Sequence, residues 1–575
     1  MKNRLKRLTS IIVILFGILS LRLSYLQLIR GARYARLSDR NRIRKIVLPA
    51  PRGRIYDRNG VLLADTRPSF TVTVIPTETN DSALTLLASL INLPFAELKR
   101  RLEPIVAFPS PVTIYRNADP TIVARIQENN FRLPGVLIRI DPVRNYPYHE
   151  LYSHTIGHLG EVTEEELAKD STYRRLDFVG RTGVEASYEK VLRGKDGYEF
   201  VEVDARGREI GPLAEKRPEP PVPGKDIYLT IDHRLQKLAD ELTKSYDRAA
   251  VLGISVKNGA IICLLSRPQF DPNIFFSTIN PSFWKNLVNN PSKPFYNRAI
   301  SSGYPPGSTF KPVVALAALK DRIVTPATTL LPCTGTFRYG NRTFKCWSTH
   351  GTLNLLGAIE QSCNVYFYQL GLRLSIDSLT EFCRRLGLGK RTGIDIPGES
   401  PGNLPSREYL DRRYGKGKWT RGTMLNFAIG QGEIMLTPLQ LATLYCCIAN
   451  EGYYYRPFLV SRIDSAGIRV KSTQPTRIDV SINKQDIVQV KKALTRVVQF
   501  GTGRAARHSE ITIAGKTGTA QNPPRADHAW FVGYAPAEAP EVVFAVLVEN
   551  AGHGGTVAAP IVGELIRAYF SSYDE

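Results

Sequence analysis

The sequence predicts an α+β (α/β) chain in three parts: one membrane-crossing helix, an N-terminal domain of mixed strands and helices, and a larger C-terminal α+β domain. Three observations predict it. Residues 8–29 are mostly apolar, with Ile11, Ile12, Val13, Ile14, Leu15 and Phe16 at their heart. Residues 218–224, Pro-Glu-Pro-Pro-Val-Pro-Gly, are too stiff for the inside of a helix or sheet and mark a boundary. Late in the chain, strand patterns over 528–534 and 542–548 lead into an amphipathic helix over 556–570, an antiparallel meander added to a helix-rich region. The parts are then 1–30, 31–223 and 224–575, and 575 residues suffice for at least two cores.

Lys2, Arg4, Lys6 and Arg7 precede the apolar stretch, and Arg22 interrupts it. About 14 uncharged residues before Arg22 fall short of the roughly 20 that span a bilayer. Snorkelling of Arg22 to the far interface restores the length. Leu21 to Leu26 offers no small-residue cleavage site, so the segment reads as an uncleaved anchor. The alternative is a buried amphipathic helix of a soluble protein. Arg30, Arg33, Arg36, Arg40, Arg42, Arg44 and Lys45 follow the span, so charge alone does not orient it.

Asp57-Arg58-Asn59-Gly60 between apolar runs predicts a tight hairpin, with Asn-Gly supplying positive φ. Residues 70–75 alternate as a strand. Residues 82–93 and 95–102 read as helices parted by Pro94, with Leu84, Leu87, Leu90, Leu98 and Leu102 inward. After the proline boundary come a strand over 226–232 and a helix over 233–245. A strand pair over 250–256 and 261–266 follows, joined at Asn258-Gly259.

A net charge of +23 invites nucleic acid as a partner. The basic residues are spread along the chain, however, and no zinc-finger or RNA-binding motif accompanies them. They suit an anionic lipid surface or an anionic polymer instead.

The chemistry is concentrated in Tyr304-Pro305-Pro306-Gly307-Ser308-Thr309-Phe310-Lys311-Pro312. A serine hydroxyl needs a base within reach, and Lys311 shares a helical face with Ser308 at i, i+3. Pro312 is tolerated only in a first turn, which puts Ser308 at a helix N-terminus. Spacing alone proves little, because Ser187/Lys190, Ser282/Lys285 and Ser481/Lys484 share it. Ser308 differs in its company: Ser362-Cys363-Asn364, then Lys516-Thr517-Gly518-Thr519. The middle triplet alone also reads as an ordinary helix N-cap. Together and in this order the three motifs form the set of penicillin-binding proteins and serine β-lactamases.

A second cluster is Cys333-x12-Cys346-x3-His350-x12-Cys363. Three thiols and an imidazole make a closed structural Zn²⁺ set. A disulfide or unpaired buried thiols are the alternatives. Cys263, Cys383, Cys446 and Cys447 read as core.

The chain resembles a class B, monofunctional penicillin-binding protein over nearly its whole length. Arg52-Gly53-Arg54-Ile55-Tyr56-Asp57 resembles the opening of that family's pedestal domain. The run from Gly180 to Glu185 resembles the return to the catalytic domain. Gly430-Gln431-Gly432-Glu433 and the run from Asp527 to Pro536 resemble the elongation-type branch. The resemblance implies a transpeptidase fold on a dimerisation-type pedestal, tethered to the inner membrane with its catalytic domain in the periplasm. It implies a D,D-transpeptidase that cross-links peptidoglycan stem peptides through a Ser308 acyl-enzyme and is acylated by β-lactams. Lys311 is then the base, Ser362 the proton relay to the leaving amine, and Asn364 the holder of the substrate amide. The Ser308 and Thr519 N–H groups form the oxyanion hole. Lys516, Thr517, Gly518 and Thr519 line the substrate carboxylate site. It further implies lipid-linked precursor as substrate source, a membrane glycosyltransferase of the elongation machinery as partner, and a metal at the loop corresponding to the cysteine cluster. A slow membrane-bound β-lactam sensor or assembly scaffold is the competing function.

Overall fold

The computed structural model describes residues 2–31, 43–102, 111–174, 177–203, 209–213, 216–276 and 281–571. Arg33, Arg36, Arg40 and Arg42 of the basic run lie outside them. The helix Lys2–Ser24 continues as a π turn, Tyr25–Ile29. The candidate span, Arg4–Ile29, has 26 residues and contains an 18-residue window of mean hydropathy 2.0. At 1.5 Å per residue that is roughly 39 Å, enough to cross a hydrocarbon core of about 30 Å despite Arg22. The Arg22 and Arg30 guanidinium groups sit 5.5 and 5.2 Å from the Tyr25 ring centroid, a basic and aromatic end to the apolar run.

Two compact units follow from the packing. The first comprises Met1–Arg52, Arg67–Val143 and Arg193–Gly224. In it Ile43–Leu48 pairs antiparallel with Gly197–Val203, which pairs with Glu209–Pro212. Helices Asp81–Leu90 and Phe95–Leu102 bury Leu84, Leu87, Leu98 and Leu102 against Val72 and Val74, with Leu90 at the margin. The Asn80 side chain caps the first helix by accepting from Ala83 N.

The second unit comprises Gly53–Thr66, Arg144–Leu192 and Lys225–Glu575. Its five-stranded antiparallel sheet runs Ile261–Ser266, Ala249–Ser255, Val542–Val548, His528–Ala535, Ala514–Ala520. Ala529, Phe531, Val542, Phe544, Val546 and Val548 join one core with the helices His233–Thr243 and Ala558–Phe570. Their alternating neighbours Trp530, Val532, Val543, Ala545 and Leu547 are equally buried. By the two-residue period of a strand they face the opposite side, where the wholly buried helix Pro438–Ala449 packs. The sheet is therefore the middle of three layers. Among the described residues Ala514–Ala520 is its edge, paired on one side only.

Two turns differ from expectation. Only the glycines take positive φ, Gly60 at 88° and Gly259 at 81°. The Asp57 side chain instead accepts from Asn59 N and Val61 N at 2.8 and 2.7 Å, and the Asn258 side chain from Ala260 N at 3.0 Å. Side-chain acceptors thus replace the second left-handed residue. The strand expected over 226–232 stops at Leu229, because Asp232 becomes the N-cap of His233–Thr243. The strand that carries Lys516 starts at Ala514.

Candidate active site

Gly307–Phe310 forms a 3-10 turn that runs into the buried helix Lys311–Lys320, with Pro312 in the first helical turn. Ser308 is half-buried there. The turn is fixed from several directions. Thr309 Oγ1 donates to Pro306 O at 2.7 Å, Tyr445 Oη to Thr309 O at 3.0 Å, and Trp530 Nε1 to Pro305 O at 3.1 Å.

Lys311 is fully buried. Its Nζ donates to Ser362 O at 2.6 Å and Asn364 Oδ1 at 2.8 Å, and lies 3.2 Å from Ser362 Oγ. Burial pulls its pKa down to about 8, partly offset by the Cys346 and Cys363 thiols. About a tenth of it is then a neutral amine at pH 7, a cost near 1.4 kcal/mol. Lys516, also fully buried, donates to Thr517 O at 3.2 Å. Burial, then the Lys311 cation, holds its pKa well below the ordinary lysine value.

Ser362 is not an N-cap. Cys363 takes that position on Asn364–Arg373 and makes no side-chain cap. Ser362 instead adopts φ 54°, a left-handed conformation that costs a non-glycine residue about 1–2 kcal/mol. Its carbonyl is thereby held on the Lys311 amine. Asn364 Nδ2 donates to Lys345 O at 3.3 Å, which fixes the amide with its oxygen toward Lys311.

The edge strand Ala514–Ala520 lies directly against the nucleophile turn. A Cβ on Gly518 would meet Thr309 Cγ2 and Trp530 Cβ at 2.9 Å. One on Gly307, whose φ is +55°, would meet Thr519 O at 2.9 Å. Only glycine permits this approach. Ser308, Lys311, Ser362, Asn364, Lys516, Thr517, Gly518 and Thr519 thus belong to three segments gathered at one cleft.

Sequence reasoning did not single out Thr502, whose Oγ1 lies 2.6 Å from Thr517 Oγ1. Gln431, marked in the sequence only by its place in the run from Gly430 to Glu433, donates Nε2 to Thr519 O at 3.3 Å. The local signal for Thr502 is its place between Gly501 and Gly503, where a Cβ would meet Glu360 O at 2.4 Å or Phe531 Cε2 at 3.1 Å.

The ligand atoms of Cys333, Cys346, His350 and Cys363 all lie within 4.8 Å of one another. His350 Nδ1 is 3.5 Å from Cys333 Sγ and 3.6 Å from Cys346 Sγ. A tetrahedron with Zn–S arms near 2.3 Å has edges of roughly 3.8 Å, so the donor set fits Zn²⁺. All four cysteines outside the cluster are buried, and all seven in the chain are free thiols. The Cys346 thiol is pulled down, chiefly by the hydrogen bond from Cys363, whose own thiol is pushed up. The cluster adjoins the catalytic cleft, because Asn364 N donates to Cys346 Sγ at 3.2 Å.

Residues 249–567 match the penicillin binding protein transpeptidase domain, and residues 47–229 the penicillin-binding protein dimerisation domain. The chain therefore belongs to the penicillin-binding protein transpeptidase family. It is similar to "Peptidoglycan D,D-transpeptidase MrdA" of Acinetobacter baumannii, 36% identical over 97% of this chain and 86% of that protein. It is also similar to PBP2 in the complex between PBP2 and MreC from Helicobacter pylori. There the TM-score is 0.82, with 28% identity over 92% of this chain and 100% of that one. A third similar structure is described as "Structural coordination of polymerization and crosslinking by a peptidoglycan synthase complex". It gives a TM-score of 0.73 and 29% identity over 99% of this chain and 98% of that one. Within the family, the chain is of the PBP2 (MrdA) type.

Proposed function

We propose that the chain is a serine D,D-transpeptidase that cross-links peptidoglycan stem peptides during cell elongation and is acylated by β-lactams. The observation that carries this is the buried Lys311 amine, three residues after Ser308, held by Ser362 and Asn364 with its pKa drawn toward neutrality. Neutral Lys311 takes the Ser308 proton as Oγ attacks the carbonyl between the terminal D-alanines. The oxyanion is met by the Ser308 and Thr519 N–H groups. Lys516, with Thr517 and Thr519 across Gly518, receives the terminal carboxylate. Asn364 holds the substrate amide, and Ser362 passes a proton to the leaving amine. A second stem peptide's amine then attacks the ester, restores the Ser308 hydroxyl and leaves the cross-link.

The catalytic part is residues 224–575, carried on a pedestal over 31–223. Residues 1–30 anchor it as a single pass in the inner membrane, with the catalytic part on the periplasmic side where peptidoglycan lies. A membrane glycosyltransferase of the elongation machinery supplies strands from lipid-linked precursor. Support for that partner comes from the polymerization and crosslinking complex to which the chain is similar. Cys333, Cys346, His350 and Cys363 would hold a structural Zn²⁺ that ties the loop before Ser362 to the helix at Asn364; it supplies no step of the reaction.

The test is product formation from lipid-linked precursor with a partner polymerase. Cross-linked muropeptides should form with the wild-type chain and disappear with Ser308→Ala. An acyl-enzyme that no amine resolves would instead indicate a sensor or scaffold.

A further inference from the structure

The two N–H groups assigned to the oxyanion hole sit on separate segments, and each must hold its direction before substrate arrives. Ser308 N–H shares a peptide plane with the Gly307 carbonyl. Thr519 lies on the edge strand and is paired with Ala529 on one side only; among the described residues no further strand flanks it on the other.

One dipeptide touches both. Gly430 O accepts from Gly307 N at 2.9 Å. Gly430 has φ +70°, and a Cβ there would lie 2.1 Å from Gly307 O, so its bare Cα is packed against the plane that carries Ser308 N–H. The next residue, Gln431, donates its side-chain amide to Thr519 O at 3.3 Å. The dipeptide is itself anchored, with Gly430 N bonded to Phe427 O at 3.0 Å and Gln431 N to Asn426 O at 2.9 Å, at the end of the helix Gly422–Ala428. Gln431 thus gives the edge strand the hydrogen bond that a further strand would have supplied.

We propose that Gln431 is a positioning residue of the oxyanion hole: with Gly430 it ties the Thr519 segment of the edge strand to the Ser308 turn, keeping the two N–H donors aimed at one point. This rests on the reading of Ser308 as nucleophile. Gln431 is half-buried and lines an open cavity of about 450 Å³ with Asn426, Gln521 and Asn522. Shortening it therefore opens no sealed void, and the fold should tolerate it.

The experiment is single-turnover acylation of the full chain by a reporter penicillin, separating the non-covalent dissociation constant from the acylation rate constant. It is run for wild type, Gln431→Met, Gln431→Ala and Gln431→Glu. Loss of a whole oxyanion donor costs about 10²–10³ in rate, and misaiming one should cost less, about tenfold. Gln431→Met and Gln431→Ala should lower the rate constant by about that factor and leave the dissociation constant unchanged. Gln431→Glu, whose carboxylate faces the Thr519 carbonyl, should lower it further. The infrared band of the isotopically labelled acyl carbonyl should move to higher frequency in all three, reporting a weaker hydrogen bond from the hole. A purely structural role would lower the melting temperature without moving that band. Unchanged rate constants and an unchanged band in folded Gln431→Met and Gln431→Ala would overturn the proposal. Failure of the wild type itself to acylate at Ser308 would instead refute the underlying function.

Discussion

Asn364→Asp tests Lys311 as the base more sharply than deleting the lysine would. The substitution keeps the side-chain shape and puts a carboxylate where the amide oxygen now lies, 2.8 Å from Lys311 Nζ. An opposite charge that close raises an amine's pKa by about 1–3 units. From the present value of about 8, a rise of about two units lowers the neutral fraction at pH 7 from about a tenth to about a thousandth. Acylation at pH 7 should then be about a hundredfold slower. The sign gives the test its edge, because higher pH restores the neutral amine. Between pH 7 and 9 the wild-type acylation rate should rise about tenfold and flatten, whereas that of the variant should rise about a hundredfold. The assay is the acylation rate constant for a reporter penicillin across pH, read at saturating ligand so that binding by residue 364 is factored out. A variant slowed by the same factor at every pH would show that Lys311 is not the group whose deprotonation limits the step.

Three further outcomes follow from the same geometry. Lys516→Met removes a buried cation whose neighbour is another cation; it should raise the melting temperature by a few degrees, for about 1–2 kcal/mol. The lowered Lys516 pKa means the unfolded chain binds more protons than the folded one up to the ordinary lysine value of 10.5. Wild-type stability should therefore climb with pH toward that value, and less steeply in the variant; denaturation across pH reads this. Thr502→Val should leave the Thr517 hydroxyl unsupported and weaken binding of carboxylate-bearing ligands by about tenfold, for one lost hydrogen bond of about 1–1.5 kcal/mol. Thr502→Ser should restore it, as titration with a slow-acylating ligand would show. Elemental analysis should find one zinc per chain, and Cys346→Ser should lose it together with much of the acylation rate, since Asn364 N rests on the Cys346 sulfur. A mass lower by two hydrogens, without metal, would point to a disulfide.

What the sequence made legible was whatever local chemistry dictates. Pro312 fixed the start of the nucleophile helix, and the leucine spacing of 84, 87, 98 and 102 fixed the inward face of two helices. The Cys/His spacing fixed a cluster whose ligand atoms do meet. The Asn-Gly pairs signal the turns, but not that the Asp57 and Asn258 side chains satisfy the backbone in place of a second left-handed residue. Ser362 looked like an N-cap because its neighbours are those of one, while its left-handed backbone answers to Lys311, 51 residues earlier. Thr502, marked locally only by its flanking glycines, and Gln431 carry no signature of the partners they meet. Their partners Thr517 and Thr519 are brought to them by the packing of the edge strand, which no periodicity encodes.

The most direct measurement is peptide mapping by mass spectrometry after reaction with labelled penicillin. The account predicts a single adduct, on the peptide that contains Ser308, and none in Lys311→Ala at pH 7. An adduct on any other residue, or full labelling of Lys311→Ala at the wild-type rate, would contradict it.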